Sequence, residues 1–348
     1  MKKIYVIAEM AYSHDGSVKL AKQIVDDAIY ANADAISIHL TSVPDYISIY
    51  YKTGKGRVSA GKEDKPFYNY LDQISLSFDE WKDIIQYIRR KSKLDILIMP
   101  NDTPSLEFAH ELNPSAYVVP TSNFEEHSFI REIGNREKPV YLRVGGASLG
   151  EIETAINILN TTNTGQVTLL YGHQNYPTVI EDTNLGFIPY LQSAFGLPVG
   201  IADHVDGEDK FAAIVPLLSI PLGVTCIEKH ITYDRSKKGE DFEAALNRDE
   251  FREMVENVKK AQLALKDKGL LKFTKDTDFY RKNLRKRVVA SRDLRAGEVM
   301  SDDMAEKKRS DDGIFPSELK SVLGLTLQND ISKDKGIKID YFYSRGKK

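Results

Sequence analysis

The chain is poor in features that would place it in several classes. It has one cysteine, Cys226, so no internal disulfide can form, and a reducing cytoplasmic setting is expected. No apolar run approaches the length needed to cross a bilayer. The first one, after two lysines, stops at Glu9, too short for a secretory h-region, and reads as a buried first strand. There is no excess of either charge: the net charge of −3 and pI near 6.2 attract neither nucleic acid nor an anionic membrane. No Gly-rich dinucleotide fingerprint follows the first strand, which removes the main signal for an open doubly wound sheet.

What is present is regular. In a chain of 348 residues, short apolar, β-branched runs recur at 4–8, 35–40, 96–99, 117–119, 140–144, 167–171, 199–202 and 224–227. Runs of this kind between amphipathic stretches signal parallel strands covered on both faces. Helical spacing is read at 17–31, 78–89, 105–112, 149–159, 209–218 and 249–265. Eight strand–helix units within residues 1–266 predict an α/β fold, a closed (β/α)₈ TIM barrel. The tyrosine-rich stretch 43–73 fits neither pattern and is expected to lie over the top face as a lid, a dimer contact or a surface excursion. Residues 267–282 read as a linker, and 283–348 as a small second domain with a thin core.

Reactive groups of such a barrel sit at the C-terminal ends of its strands. Of seven histidines, five (14, 39, 173, 204 and 230) fall at or just past predicted strand ends. A lone histidine is more often a satisfied structural residue, but five on one face suggest a polar, metal-competent pocket. Asp203-His204 and Glu228-Lys229-His230 end the last two strands, so His204 and His230 are candidate ligands of a divalent metal (Mn, Mg, Co or Zn). Glu228 shares a strand face with His230, and Glu9 closes the ring beside it. Both are acid/base candidates, with pairing to Lys229 or Arg143 as the plainer explanation. Asn175-Tyr176-Pro177 supplies an amide and a phenol suited to sugar hydroxyls, or else simply closes a turn.

At these residues the chain resembles the sialic acid synthases, a family that includes synthases of other nonulosonic acids and of spore-coat polysaccharide. The similarity is collinear from residue 4 to about 341. It rests on Ile7-Ala8-Glu9 with Ser13-His14-Asp15-Gly16, Leu149-Gly150-Glu151-Ile152, Asn175-Tyr176-Pro177, Asp203-His204 and Glu228-Lys229-His230. Further on, Asp293-Leu294, Ala296-Gly297-Glu298, Lys308-Arg309 and Gly313-Ile314 resemble an antifreeze-like (SAF, β-clip) domain. The resemblance implies metal-assisted condensation of phosphoenolpyruvate with an amino sugar, an N-acylated mannosamine-type aldose. It implies catalytic roles at Glu9, Glu228 and Asp203. It also implies a domain-swapped homodimer in which Arg309 reaches the partner's sugar site.

The chain departs from the family around the phosphoenolpyruvate pocket. Lysines of the second and fourth strands are replaced at Ser37 and Val118, His39 and Thr121 stand where other residues are usual, and a serine of the fifth strand is Arg143. Ala202 replaces the serine before Asp203-His204, and Glu240-Asp241 stand where Pro-Asp is usual. The pocket is left one positive charge short, worth about 4 kcal/mol for one close pair at an effective dielectric near 20. Arg143 offers a bidentate grip on an anion in compensation, with Ser37, His39, Thr121, His173, Asn175, Tyr176, Asp241 and Arg309 completing the substrate-binding candidates. Three readings follow: a synthase with a rearranged anion site, a metal-dependent aldolase or lyase acting on another keto acid, and a non-catalytic relative.

Overall fold

The structure, a computed structural model, describes residues 3–51, 67–266 and 273–343. The chain divides into two compact units, Met1–Lys266 and Asp267–Lys348.

In the first unit eight parallel strands close into a barrel in sequence order: β1 (Tyr5–Glu9), β2 (Ala35–Leu40), β3 (Asp95–Pro100), β4 (Ala116–Val119), β5 (Val140–Arg143), β6 (Val167–Tyr171), β7 (Val199–Asp203) and β8 (Cys226–His230). Side chains alternate along each strand. Ile7, Ala35, Leu97, Met99, Val118, Leu170, Ala202 and Cys226 fill the bore as one cluster. Their neighbours, including Ala8, Ile36, Ile98, Val119, Leu169, Ile201 and Ile227, pack outward on the helices as another. The bore is thus a largely apolar packed core, and its charged groups gather at the C-terminal strand ends.

The helices begin where the sequence supplies caps. Ser77 and Glu80 exchange capping-box bonds at the start of Phe78–Lys91, and Ser148 and Glu151 do so before Leu149–Asn160. The Leu149-Gly150-Glu151-Ile152 motif is therefore, physically, a helix start. Helices His127–Gly134 and Ile188–Phe195 were not expected from the spacing. The helix expected over 209–218 is broken instead: Pro216 confines it to a 3₁₀ turn, Lys210–Ala213, and one short helix, Val215–Ser219. Of the 43–73 excursion, Val43–Tyr46 and Phe67–Ile74 are helical, and its middle lies outside the described residues.

In the second unit, β9 (Lys286–Ala290) pairs antiparallel with β10 (Ala305–Arg309). Short bridges such as Leu294–Ile331 and Val299–Thr326 tie the rest together. The unit has its own core, including Val288, Ala290, Leu294, Met300, Val322, Leu327, Ile331 and Ile337. Within the stretch read as a linker, Lys275–Asn283 is a helix with no buried residue.

Candidate active site

Six polar side chains meet at the C-terminal end of the bore. Each sits at an inward position of its strand: Glu9, His39, Arg143, Glu228 and His230, with His204 one residue past β7. Strand register sets Glu9 level with His230. A single guanidinium nitrogen, Arg143 Nη2, donates to Glu9 Oε2 at 2.8 Å and to Glu228 Oε1 at 2.6 Å. The other Glu9 oxygen accepts from the Ala11 amide at 2.9 Å and lies 3.2 Å from His39 Nε2. The plainer expectation for the two glutamates thus holds in geometry, with Arg143 as their partner. Lys229 faces the other way.

All three members of this cluster are buried, at 0% exposure for Glu9, 1% for Glu228 and 3% for Arg143. Desolvation therefore competes with the neighbouring charges in setting their proton affinities. Burial pushes Glu228 up to about 8, against the pull of Arg143 and with Glu9 adding to the rise. Burial opposes ionisation of Glu9 too, but His39 and Arg143 together hold its carboxyl well below the usual range. The two carboxyls, side by side on one cation, are thereby set apart, one ionised and one inclined to keep its proton.

The two histidines expected as metal ligands stand next to each other, ring centroids 5.2 Å apart. His204 Nδ1 lies 2.6 Å from the His173 carbonyl oxygen. A carbonyl only accepts, so Nδ1 carries the proton and Nε2 the lone pair. Burial, with Arg143 adding, lowers His204 to about 3. Burial and His204 keep His230 well below its ordinary value. Both rings are therefore neutral. His204 Nε2 and both His230 nitrogens are buried without a hydrogen-bond partner. Neutral, orphaned imidazole nitrogens fit a cation held by two protein ligands, with water and substrate completing the sphere. Among the described residues no group of three or more His, Cys, Asp or Glu is arranged around a metal position.

The remaining candidates are placed as follows. Asp203 is not with the others: it faces away from the bore and bonds Lys229 Nζ at 2.6 Å, because alternation turns residue 203 outward when 202 and 204 turn inward. This corrects its expected catalytic position. His14 turns its ring edge onto Trp81, 5.2 Å between centroids, and accepts from the Gly16 amide, so the five histidines do not all converge. His173 contributes its carbonyl, while its half-buried ring lies near Tyr171. Ser37, paired in register with Glu9, is fully buried with an orphaned hydroxyl. Thr121 turns its hydroxyl to the Arg143 and Gly145 carbonyls, both at 2.8 Å, and so shapes the exit of β5. Asn175 is exposed. Tyr176 lies over His204, 4.4 Å between centroids. Arg309 ends β10 in the second unit and is exposed.

Above the cluster opens a cavity of about 550 Å³, into which Arg143, His39, Thr121, Tyr176 and Asp241 project. Its wall also includes Glu240, noted in the sequence as a departure from the family, and Tyr12, Asn101 and Gln174, which were not among the expected site residues. Asn101 directly follows β3, so the rule that strand ends carry reactive groups could have found it. Its amide donates to Thr41, whose hydroxyl meets that of Tyr12. Ile47, Phe67 and Leu71, from the two helical ends of the excursion, form an apolar wall. Arg143 is the only Lys or Arg on the wall among the described residues.

The NeuB family model matches residues 24–269, and the SAF domain model matches residues 285–341. The N,N'-diacetyllegionaminic acid synthase of Campylobacter jejuni is 28% identical over 97% of this chain and 100% of its own. A pseudaminic acid synthase of the same species is 29% identical over 97% of this chain and 96% of its own. The solved N-acetylneuraminic acid synthetase of Leptospira borgpetersenii, in complex with citrate, superposes with a TM-score of 0.68 at 24% identity. That match covers 82% of this chain and 94% of the other, and it bears on the fold alone. The closed barrel, the small C-terminal unit and matches that run through both place this chain in the NeuB family, with a SAF domain at its C-terminal end.

Proposed function

We propose that the chain condenses phosphoenolpyruvate with the open-chain form of an N-acyl hexosamine-type aldose, yielding a nonulosonic acid and phosphate. The observation that carries this reading is the Glu9–Arg143–Glu228 cluster set beside two imidazoles with free ring nitrogens, in a chain whose relatives are named as legionaminic and pseudaminic acid synthases. A divalent cation bound by His204 and His230 would supply Lewis acidity toward the sugar's aldehyde oxygen.

The chain's own groups do the rest. Carbon–carbon bond formation turns the aldehyde oxygen into a hydroxyl that needs a proton, and the water that adds to the phosphate-bearing carbon of phosphoenolpyruvate must lose protons as phosphate leaves to give the ketone. Glu9 and Glu228 are the buried carboxyls placed for this proton traffic. Arg143 orients both and is the cation available to the substrate's carboxylate or phosphate. Asn101, Gln174, Tyr176 and Asp241 offer hydrogen bonds to sugar hydroxyls, and Ile47, Phe67 and Leu71 offer an apolar surface to the acyl group. We further take the active form to be a domain-swapped homodimer in which Arg309 serves the partner's cavity, and the location to be cytoplasmic, in keeping with a lone buried Cys226. Among the described residues no helix is long and apolar enough to cross a membrane.

The test is phosphate release from phosphoenolpyruvate across a panel of N-acyl hexosamines with Mn²⁺ present. Release with at least one sugar is expected, reduced by about 10²-fold or more in Glu9→Gln and Glu228→Gln. No release with any sugar would overturn the reading. One observation favours a second reading, a metal-dependent aldolase on another keto acid: the only Lys or Arg on the wall among the described residues, Arg143, is already bound by two carboxylates and shares that wall with Glu240 and Asp241. Calorimetry in which pyruvate binds and phosphoenolpyruvate does not would select it.

A further inference from the structure

The hydrogen-bonded ladder between β7 and β8 ends at the pair Asp203–Lys229. His204 and His230 are the next residue on each strand, just past the last paired position. Nothing in the ladder itself fixes the distance between them. His230 has no hydrogen bond from either ring nitrogen, so its ring is placed by its backbone and by packing against Tyr176 and His204. Each backbone is held on its far side, His230 by Leu246 and by pairing with Glu9, and His204 by Thr178, but none of these bonds joins the two strand tips to each other.

A contact that does join them lies on the opposite face. Lys229 Nζ donates to Asp203 Oδ2 at 2.6 Å and to the Val205 carbonyl at 2.8 Å. The two bonds land on the residues immediately before and after His204. One lysine adjacent to His230 thus brackets the other histidine. The pair is closed to solvent, with Lys229 at 0% and Asp203 at 3% exposure, in the layer where Ile201, Val205, Ile227 and Ile231 pack. Two charges in such surroundings usually give no more stability than apolar residues of the same volume, so stability alone does not account for them. A role in fixing register is the best attested use of such a buried pair.

We propose that Asp203 and Lys229 are positioning residues: their ion pair, on the outer face of the barrel, sets the spacing of His204 and His230 on the inner face. The proposal rests on the candidate metal-site reading only for its second readout. The variant to use is the double replacement Asp203→Leu/Lys229→Met, made in the full chain, because a single replacement would strand one buried charge and unfold the tip. The first readout needs no metal. In ¹⁵N-histidine spectra of metal-free protein, His204 Nδ1–H, bonded to the His173 carbonyl, should give a sharp, slowly exchanging proton. In the double variant that signal should broaden or disappear while the thermal midpoint stays at or above that of the parent. The second is Mn²⁺ and Co²⁺ titration by calorimetry and visible absorption, where affinity should fall by about 10- to 100-fold, the usual effect of removing support behind a ligand. A folded double variant with an unchanged His204 proton would overturn the proposal. Parent protein that binds neither metal would refute the metal site instead, and the proton signal would still decide the positioning role.

Discussion

At the scale of single residues, burial sets the charge state more than sequence neighbours do. Asp27 illustrates this outside the site. It lies on the inner face of helix Val18–Tyr30 at 3% exposure, with Arg248 Nε at 3.5 Å as its cation and Asp26 and Asp249 adding negative charge. Burial outweighs Arg248 and pushes its carboxyl up to about 6. The folded protein therefore holds this proton more tightly than the unfolded chain, and the group's contribution falls as pH rises from about 4 to 6. Asp27→Asn should stabilise the protein above pH 6 by about 1–3 kcal/mol and make no difference below about pH 4. Melting curves of both proteins from pH 4 to 8 check this, and curves that stay parallel would contradict it. The same logic separates the site's carboxyls, because Glu9 gains His39 and Arg143 while Glu228 gains Arg143 alone as cation.

At the scale of elements, strands were legible from their apolar runs, but the run of the last one marks only its first half. Its apolar run, 224–227, stops short of the observed Cys226–His230, whose end was expected at His230 from position alone. Glu-Lys-His has no strand-like composition. These residues are buried in β8 because Glu228 meets Arg143 and Lys229 meets Asp203, partners far away in sequence. Close approach of strand exits is equally invisible in sequence. A Cβ on Gly172 would sit 1.8 Å from the Ala202 carbonyl oxygen, a backbone atom that cannot swing aside. Gly172→Ala should therefore push β6 and β7 apart at their tips, costing roughly 2–3 kcal/mol. Because His173 follows, and its carbonyl holds His204 Nδ1, loading of the proposed metal should fall with stability. Thermal melts with metal analysis report both, and wild-type values for the two would rule the argument out.

At the scale of the whole molecule, the chain consists of two units with separate cores, each matched by its own family model. The swapped dimer proposed above makes a prediction that mass alone cannot. A His204→Ala/His230→Ala chain lacks the proposed metal ligands, and an Arg309→Ala chain lacks the arginine proposed to reach the partner. If each cavity takes its arginine from the other subunit, mixed dimers contain one intact site and one doubly damaged site. Co-refolding equal amounts should then restore roughly a quarter of wild-type activity by random pairing. If the arginine acts within its own chain, both sites of a mixed dimer stay damaged and activity remains absent.

The sequence by itself determined the eight-strand repeat, the second small domain, the pair of strand-end histidines and the two inward glutamates. All of these follow from local periodicity, the two-residue alternation of a strand and position at a strand's end. Only the tertiary structure decided which groups share a charge. It turned Asp203 away from the bore and onto Lys229, set Arg143 across both glutamates, and brought Asn101 and Glu240 to the cavity wall. Pairing of this kind depends on which strands become neighbours when the barrel closes, and on how much water that closure removes, neither of which is written in the spacing along the chain.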